Sequence, residues 1–570
     1  MRNIISQAMV IATILMICPL IAFNQNVRIP AYQKARMHKE IPDQKFMGPQ
    51  TGIRKTSPAP RFETPGFFTA QVNVDANGDN ILGDAANEPS IAVDPTNPDR
   101  MVMGWRQFDD VNNNFRQAGY GFSSNGGQNW TFPGKIEPGI FRSDPVLDFD
   151  EAGNFYYNSL TTDGVNYTCQ VFKSTDGGAT WDMGTEAHGG DKQWMTIDRT
   201  GGPGNGNIYS FWTSYYSSCL PGFFTRSANA GSSFENCVTV NGSPYWGTMA
   251  VGPSGEVYIA GAGSGDGITV AKSVNAQTPG SVIAWGLPTI ADVDGVIVGQ
   301  DPINPVGILG QVSVDVDRSN GPGHGNVYVL ASVARQSTPD PADVMFAKSI
   351  DGGLTFGAPK RINTDGNNYN YQWFGVMSVA PNGRIDVAWL DTRDASFGSF
   401  NSALYYCYSD DQGATWSINK KISDLFDPHV GYPQQDKMGD YFDMVSDDAG
   451  AHLAWTNTLN GEEDVYYTHI IPSIVGIGEK QESQEPLSLS CYPNPFKDHT
   501  AIQYTIQSGC SVKMSVCNLY GVEIRTLVDK YQPEGTYSVN FSDVDLPAGF
   551  YLCRLSDGKR TETTRLIKLK

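Results

Sequence analysis

The stretch STDGGATW, residues 174–181, decides the architecture. Its form, Ser-x-Asp-x-Gly-x-Thr-aromatic, is that of a tight hairpin. The Asp caps the turn with its own side chain, a Gly takes the positive φ, and the aromatic packs back onto the sheet. The same form returns as SSNGGQNW at 123–130, SANAGSSF at 227–234, SIDGGLTF at 349–356 and SDDQGATW at 409–416, with a degenerate copy, SVNAQTPG, from Ser273. Five good copies exclude chance and make the chain a repeat protein.

Outward from these turns lies a second repeated element, two alternating strands joined by an Asp-Pro or Asn-Gly type turn. Its copies start near residues 88, 144, 194, 246, 311, 373 and 441, at intervals of about 50 to 68 residues. That spacing is one four-stranded blade each. The expected fold is therefore all-β, a β-propeller with seven blades favoured and six possible, followed by a small C-terminal β-sandwich. The last blade has one clear strand after its inner pair, DVYYTHI at 464–470. FTAQVNVD at 68–75 is available to complete that blade and cover its edge.

The rest of the chain divides around the repeats. Residues 1–23 carry Arg2 and an apolar run and read as a signal peptide; 24–66 read as a linker or pro-segment, 67–474 as the propeller, 475–487 as a polar linker and 488–570 as the β-sandwich. Cys18 follows Ile17, a poor fit to lipoprotein processing. No other segment is long and apolar enough to span a bilayer. A formal net charge of −20 disfavours nucleic acid and anionic membranes as partners, and an acidic ligand would need arginines gathered locally. The cysteines lack paired CxxC spacing, which disfavours zinc. Cys219 with Cys237, and Cys510 with Cys517 or Cys553, are candidate disulfides.

The hairpins resemble the BNR or Asp-box repeats of sialidases and related propellers, over about residues 85–470. That resemblance implies architecture, not activity, because such boxes lie on the outer part of blades. The tail resembles the type IX secretion sorting domain, type A, of Bacteroidetes. The residues that carry it are YPNPF at 492–496, NLYGVEI at 518–524, LPAGFYLCRL at 546–555 and the closing Lys568-Leu569-Lys570. It implies the type IX machinery as a partner, and a protein secreted or held on the outer-membrane cell surface.

In a propeller, residues just before each first strand and just after each second strand converge on one mouth of the central channel. Those before are Asn87, Glu88, Asp144, Asp191, Lys192, Trp194, Tyr245, Trp246, Gln311, Gln372, Trp373, Asp440 and Tyr441. Those after include Arg106, Asp109, Thr213, Asp391, Arg393 and Asn457. Aromatic faces stack on sugar rings, and carboxylates and amides bind hydroxyls. The expected ligand set is Asp191, Lys192, Trp194, Trp246, Trp373, Asp440 and Tyr441. The competing reading is that each group caps its own blade.

For catalysis, the sialidase resemblance implies three arginines, a Tyr–Glu nucleophile and an Asp acid/base. The candidates are Arg106, Arg393, Asp391, Asp144 and Glu88, with Arg142 near Asp144. The match Arg28-Ile29-Pro30 to the family's Arg-Ile-Pro motif sits by the signal region and is read as coincidental. Tyr405 and Tyr406 lead into a box and are read as strand residues. A complete catalytic set is not assignable. The functions expected are therefore a surface propeller engaging glycans or glycoproteins, an exo-sialidase-type hydrolase, or a structural scaffold. No cofactor is required for the first. The acidic loop at 74–88 adds calcium as a candidate, with Asp75, Asn77, Asp79 and Asp84 as ligands, because hard cations take oxygens on a bent backbone.

Overall fold

The computed structural model describes residues 43–48, 54–164, 166–263, 265–472, 488–506, 509–518, 523–542, 546–556 and 561–569. The expected signal peptide, most of the 24–66 segment, the whole of the 475–487 linker and most of NLYGVEI lie outside the described residues. The chain divides into two compact units, Met1–Gly478 and Glu479–Lys570.

The first unit is a β-propeller. Its inner strands are Ala85–Val93, Ser143–Phe149, Trp194–Ile197, Tyr245–Val251, Ser313–Val316, Gln372–Val379 and Asp443–Ser446, and each heads its own antiparallel sheet. These sheets are called blades one to seven below. In the seventh, Asp464–Ile470 pairs with Phe67–Gln71, and Arg61–Thr64 adds an outermost strand.

An innermost strand pairs within its sheet on one side only, so its channel-side amides need other partners. Short polar side chains from the neighbouring blade supply them. Ser90 Oγ accepts from Leu147 N (2.9 Å), Asp148 Oδ2 from Ile197 N (2.7 Å), and Thr248 Oγ1 from Val314 N (2.9 Å). Asp315 Oδ2 accepts from Val379 N (2.8 Å), Ser378 Oγ from Ser446 N (3.0 Å), and Asp443 Oδ2 from Ile91 N (3.1 Å). The last of these joins the seventh blade to the first.

The repeated turns hold the periphery. Ser174 Oγ accepts from Gly178 N, and Asp176 accepts from Thr180 N and Thr180 Oγ1. Ser349, Asp351 and Thr355 repeat the pattern, as do Ser409, Asp411 and Thr415. The degenerate copy keeps half of it, with Ala276 N donating to Ser273 Oγ. The aromatic at the end of several boxes packs on the preceding blade: Trp181 on Tyr120 (5.8 Å), Trp416 on Phe346 (5.2 Å) and Trp130 on Tyr467 of the seventh blade (5.4 Å). Each such turn thus staples two blades, which is why the pattern keeps a large ring at that place.

The second unit is a two-sheet sandwich. One sheet runs Ser488–Tyr492, Thr500–Ile506, Gly535–Phe541; the other runs Glu523–Gln532, Cys510–Cys517, Gly549–Ser556, Thr561–Lys568. Ile502, Val512, Met514, Val516 and Leu566 fill its core. The YPNPF stretch is tied to the final strand: Ile567 N donates to Asn494 Oδ1 (2.8 Å), Phe496 N to Ile567 O (2.9 Å) and Leu569 N to Phe496 O (2.8 Å).

Cys219 and Cys237 are joined by a disulfide. Cys510 cannot reach either proposed partner. Cys517 ends the same extended strand, and Cys553 lies opposite Val516, six residues along from Cys510. Both separations are on the order of 20 Å at strand rise, beyond disulfide reach. The Cys553 thiol meets Cys491 instead.

Candidate functional site

Every inner strand is entered through a residue with positive φ: Glu88 (50°), Asp144 (47°), Lys192 (54°), Trp246 (54°), Gly310 (124°), Phe374 (53°) and Gly439 (87°). Five of these are not glycine, and each such conformation costs of order 1 kcal/mol or more. The kinks gather three charged side chains, from blades one to three, around one end of the channel.

There Arg106 Nε lies 3.2 Å from Glu88 Oε2, and Lys437 Nζ 3.6 Å from Glu88 Oε1. Lys437 and Lys192 both reach Asp440 Oδ2, at 2.7 and 2.8 Å. Lys192 Nζ lies 3.5 Å from Asp191, and its backbone N donates to Asp144 Oδ2 (3.1 Å). Asn87 accepts from Arg106 Nε (2.7 Å) and donates to Glu463 (2.6 Å). All these side chains are buried. Burial pushes the Glu88 carboxyl up to about 8, against the pull of Arg106 and Lys437. Burial also works to raise Asp144, but Lys192 and Arg106 outweigh it and hold that carboxyl below its usual range.

This end is covered. The hairpin Gly299–Asp301 with Asn304–Ile308 crosses to the seventh blade, where Asn304 Nδ2 donates to Gly439 O (2.9 Å) and Ile308 N to Asp440 Oδ1 (3.0 Å).

The other end is open. A cavity of about 780 Å³ occupies the channel, with Trp194, Phe374 and Tyr441 deep inside and Arg199, Arg318 and Asp447 towards the strand ends. Arg199 pairs with Asp148 (2.6 Å) and lies over the Phe149 ring (4.1 Å). Burial raises the Asp443 carboxyl to about 6, while His452 and loop amides outweigh burial at Asp447 and hold it at about 2.

The structure thus brings Glu88, Arg106, Asp144, Asp191, Lys192 and Asp440 together at the covered end, with Tyr441 between them and the channel. Tyr441 OH donates to Pro145 O (2.7 Å), and its ring meets Trp194 at 5.5 Å. Arg393 and Asp391 do not join. They pair with each other at 2.6 Å inside blade six, Trp389 donates to the same carboxylate, and Arg393 lies over Tyr405. Both cap their own blade, because an i, i+2 pair at a strand end satisfies itself locally. Trp246 and Trp373 are core residues rather than sugar platforms; Trp373 is fully buried with its indole N–H on Ser402 Oγ (3.1 Å). Tyr405 and Tyr406 are strand residues bonded to Asp394 and Asp386.

The acidic loop is split. Asp75 Oδ1 accepts from Asn77 N (2.8 Å) and Asp79 N (2.9 Å) as an Asx turn, while Asp84 is buried with Gln107 (2.8 Å). Among the described residues, the one grouping of His, Cys, Asp or Glu ligand atoms close enough to share an ion is His188, Cys219 and Cys237, and its cysteines form the disulfide.

Sequence reasoning missed the open end. Two near-identical turns carry its arginines, IDRTGGPGNGNIY at 197–209 and VDRSNGPGHGNVY at 316–328. In each, the Asp accepts from the amide two residues on (2.9 Å), and the following Arg lines the channel. The paired Asp-Arg was a legible signal.

The fold and tail define an exported all-β propeller protein, secreted or displayed at the cell surface. The tail is what places it there: the family model of the secretion system C-terminal sorting domain matches residues 490–569. No curated protein matches the chain. Among solved structures, it is similar to a protein of unknown function from Dyadobacter fermentans, at 13% identity over 72% of this chain and 100% of that one, TM-score 0.41. It is also similar to a polysaccharide lyase, an ulvan lyase, at 11% identity over 68% and 94%, TM-score 0.37. A third likeness is to the endosialidase of phage phi92, at 9% identity over 88% of each chain, TM-score 0.40. No helix among the described residues is long and apolar enough to cross a membrane.

Proposed function

We propose that this exported propeller engages glycans or surface glycoproteins by taking a glycan segment into the open end of its channel. The observation that carries the reading is the channel cavity of about 780 Å³, lined by Trp194, Phe374 and Tyr441, with Arg318 and the Arg199–Asp148 pair towards its rim. Its size suits a ligand of a few sugar rings. Aromatic faces take the apolar faces of sugars, and paired carboxylates and guanidinia take their hydroxyls. The test is retention on a glycan array. Arg318→Ala is expected to weaken retention about tenfold, the scale of one charge-assisted hydrogen bond. Retention that Arg318→Ala and Arg199→Ala both leave unchanged would move the ligand out of the channel.

A second reading, an exo-acting glycoside hydrolase, is favoured by one observation. Glu88 and Asp144 sit in one buried cluster with Arg106 and Lys192, where burial raises the first carboxyl and the cations hold the second below its usual range, the division of labour of an acid and a charge-stabilising carboxylate. Release of a fluorogenic aglycone from a glycoside panel, lost in Glu88→Gln, would support it; a silent panel would remove it.

A further inference from the structure

Residues 43–48 lie across the covered end of the propeller although the sequence places them before its first strand. Asp43, Gln44 and Phe46 hold them there. The Asp43 carboxylate accepts from Arg116 Nη1 at 2.5 Å, and the Arg116 side chain is only 2% exposed. Gln44 N donates to Asn114 Oδ1 (2.7 Å), Asn114 N donates back to Gln44 Oε1 (3.0 Å), and Gln44 Nε2 donates to Gln434 of the loop before blade seven (3.0 Å). The Phe46 ring meets Phe115 at 5.3 Å and packs over Gly139. A groove of about 750 Å³ runs between this segment and the loop containing Asp110, Asn113 and Phe115.

Arg116 is built as a receptor for a flat anion. Its Nε donates to the buried Ser143 Oγ (2.9 Å), and its guanidinium lies over the Phe141 ring at 4.7 Å. Ser143 in turn donates to Asp144, so Arg116 joins the buried charge cluster and helps hold Asp144 ionised. In a chain of net charge −20, an acidic ligand needs a local cation, and Arg116 supplies one here. The segment presents a carboxylate to the arginine, an amide to two amides, and a ring face to Phe115. A uronic or sulfated sugar presents the same three features: an anion, hydroxyls and an apolar ring face.

We propose that residues 43–48 are a built-in competitor, and that Arg116, Asn114 and Phe115 form an acidic-glycan subsite that Asp43, Gln44 and Phe46 occupy in its place. Because the segment is tethered, it holds the site at high effective concentration. Weakening its contacts therefore opens the site without removing any part of it. This subsite is separate from the channel reading, since it lies at the opposite end of the ring.

The experiment compares the full chain with Asp43→Asn/Gln44→Ala. Each is titrated with galacturonate oligosaccharides, sulfated galactan oligosaccharides and neutral malto-oligosaccharides at fixed ionic strength. The double variant is expected to bind an acidic series about tenfold more tightly than the parent, the weight of one charge-assisted contact. The neutral series is expected to be unchanged, and Arg116→Gln on the double variant to cancel the gain. Gain on the uronate arm assigns a carboxylate ligand, and gain on the sulfate arm a sulfate. Should Arg116→Gln not fold, Arg116→Lys keeps the charge but loses the fork, and is expected to cancel most of the gain. No gain on either acidic arm, an equal gain on the neutral arm, or a gain that survives Arg116→Lys would overturn the proposal. Channel binding is read separately through Arg318→Ala, so failure of either site leaves the other distinguishable.

Discussion

At one end of the channel the seven inner strands begin; at the other they finish, and the two ends are finished differently. The beginnings are kinked onto left-handed residues, carry Glu88, Asp144 and Lys192 inward, and lie under the 299–308 hairpin and the 43–48 segment. The strand ends lead into short turns that leave the channel open, with cations such as Arg199 close to water. Both ends hold acids paired with bases. The difference is desolvation: a buried pair must be complete, whereas a solvated one is dispensable for folding. The covered end therefore locks blades one, two, three and seven together, and the open end is free to serve a ligand.

The sharpest way to break this contrast is to remove one cation from each end. Lys192→Met leaves Asp440, Asp191 and Asp144 short of a buried partner. It is expected to cost about 3–5 kcal/mol in denaturant unfolding. Arg199→Met removes a cation of similar geometry from the open end and is expected to cost about 1 kcal/mol. Equal losses would mean that the two ends do the same structural work.

A smaller effect follows from protons. The Glu88 carboxyl sits at about 8 in the folded chain against an ordinary 4.5. A raised carboxyl binds its proton more tightly when folded. Its contribution is complete below about 4.5 and is lost as pH rises through 8. Glu88→Gln is expected to flatten the fall in stability between pH 5 and 8, read from unfolding curves across that range. Asp443, raised to about 6, acts the same way over a lower window, from 3.8 to 6. A parent that gains stability from pH 5 to 8 relative to Glu88→Gln would reverse the assignment.

The cover can be loosened without touching a charge. Asn304 bridges Gly439 O, Ile308 O and Met438 N. Asn304→Ala leaves these groups short of partners and is expected to cost about 1–2 kcal/mol. Faster hydrogen exchange should be confined to the amides of 304–308 and 438–440. Faster exchange around the whole ring would show that the hairpin supports the fold rather than covers one end.

How much of this was legible follows from what is periodic. The boxes and inner strands repeat, so local turn chemistry and alternation were enough to place them. The gathering of Glu88, Arg106, Asp144, Lys192 and Asp440 was legible too, because strand starts converge in any propeller. The fate of Trp373 and Arg393 was not. A Trp before an inner strand reads the same whether its indole faces the channel or Ser402, and only packing decides. Arg393 looked like a ligand arginine because its partner, Asp391, is two residues away and reads equally as a second site residue. The covers were illegible for another reason. The hairpin and residues 43–48 belong to no repeat, and their contacts with Gly439 and Asn114 span 135 and 70 residues.

The boxes supply the mildest test. They sit where third strands turn back, at the same face as the open end but on its perimeter. Thr355 Oγ1 donates to Asp351 Oδ2 at 2.6 Å in water-exposed surroundings, while the backbone of Thr355 and the Ser349 hydroxyl also bond the same carboxylate. Thr355→Val removes one of these bonds and keeps the β-branched shape. The loss is expected to be about 0.5 kcal/mol, since water replaces an exposed partner at little cost. The blade contact is made elsewhere, through aromatics such as Trp416 on Phe346, and Thr355→Val does not touch it. Glycan retention and the acidic-oligosaccharide titration should both stay at parental values. A change in channel affinity from so small a loss at the rim would show that the turns set the width of the open end, and the division between a locked end and a free one would have to be redrawn.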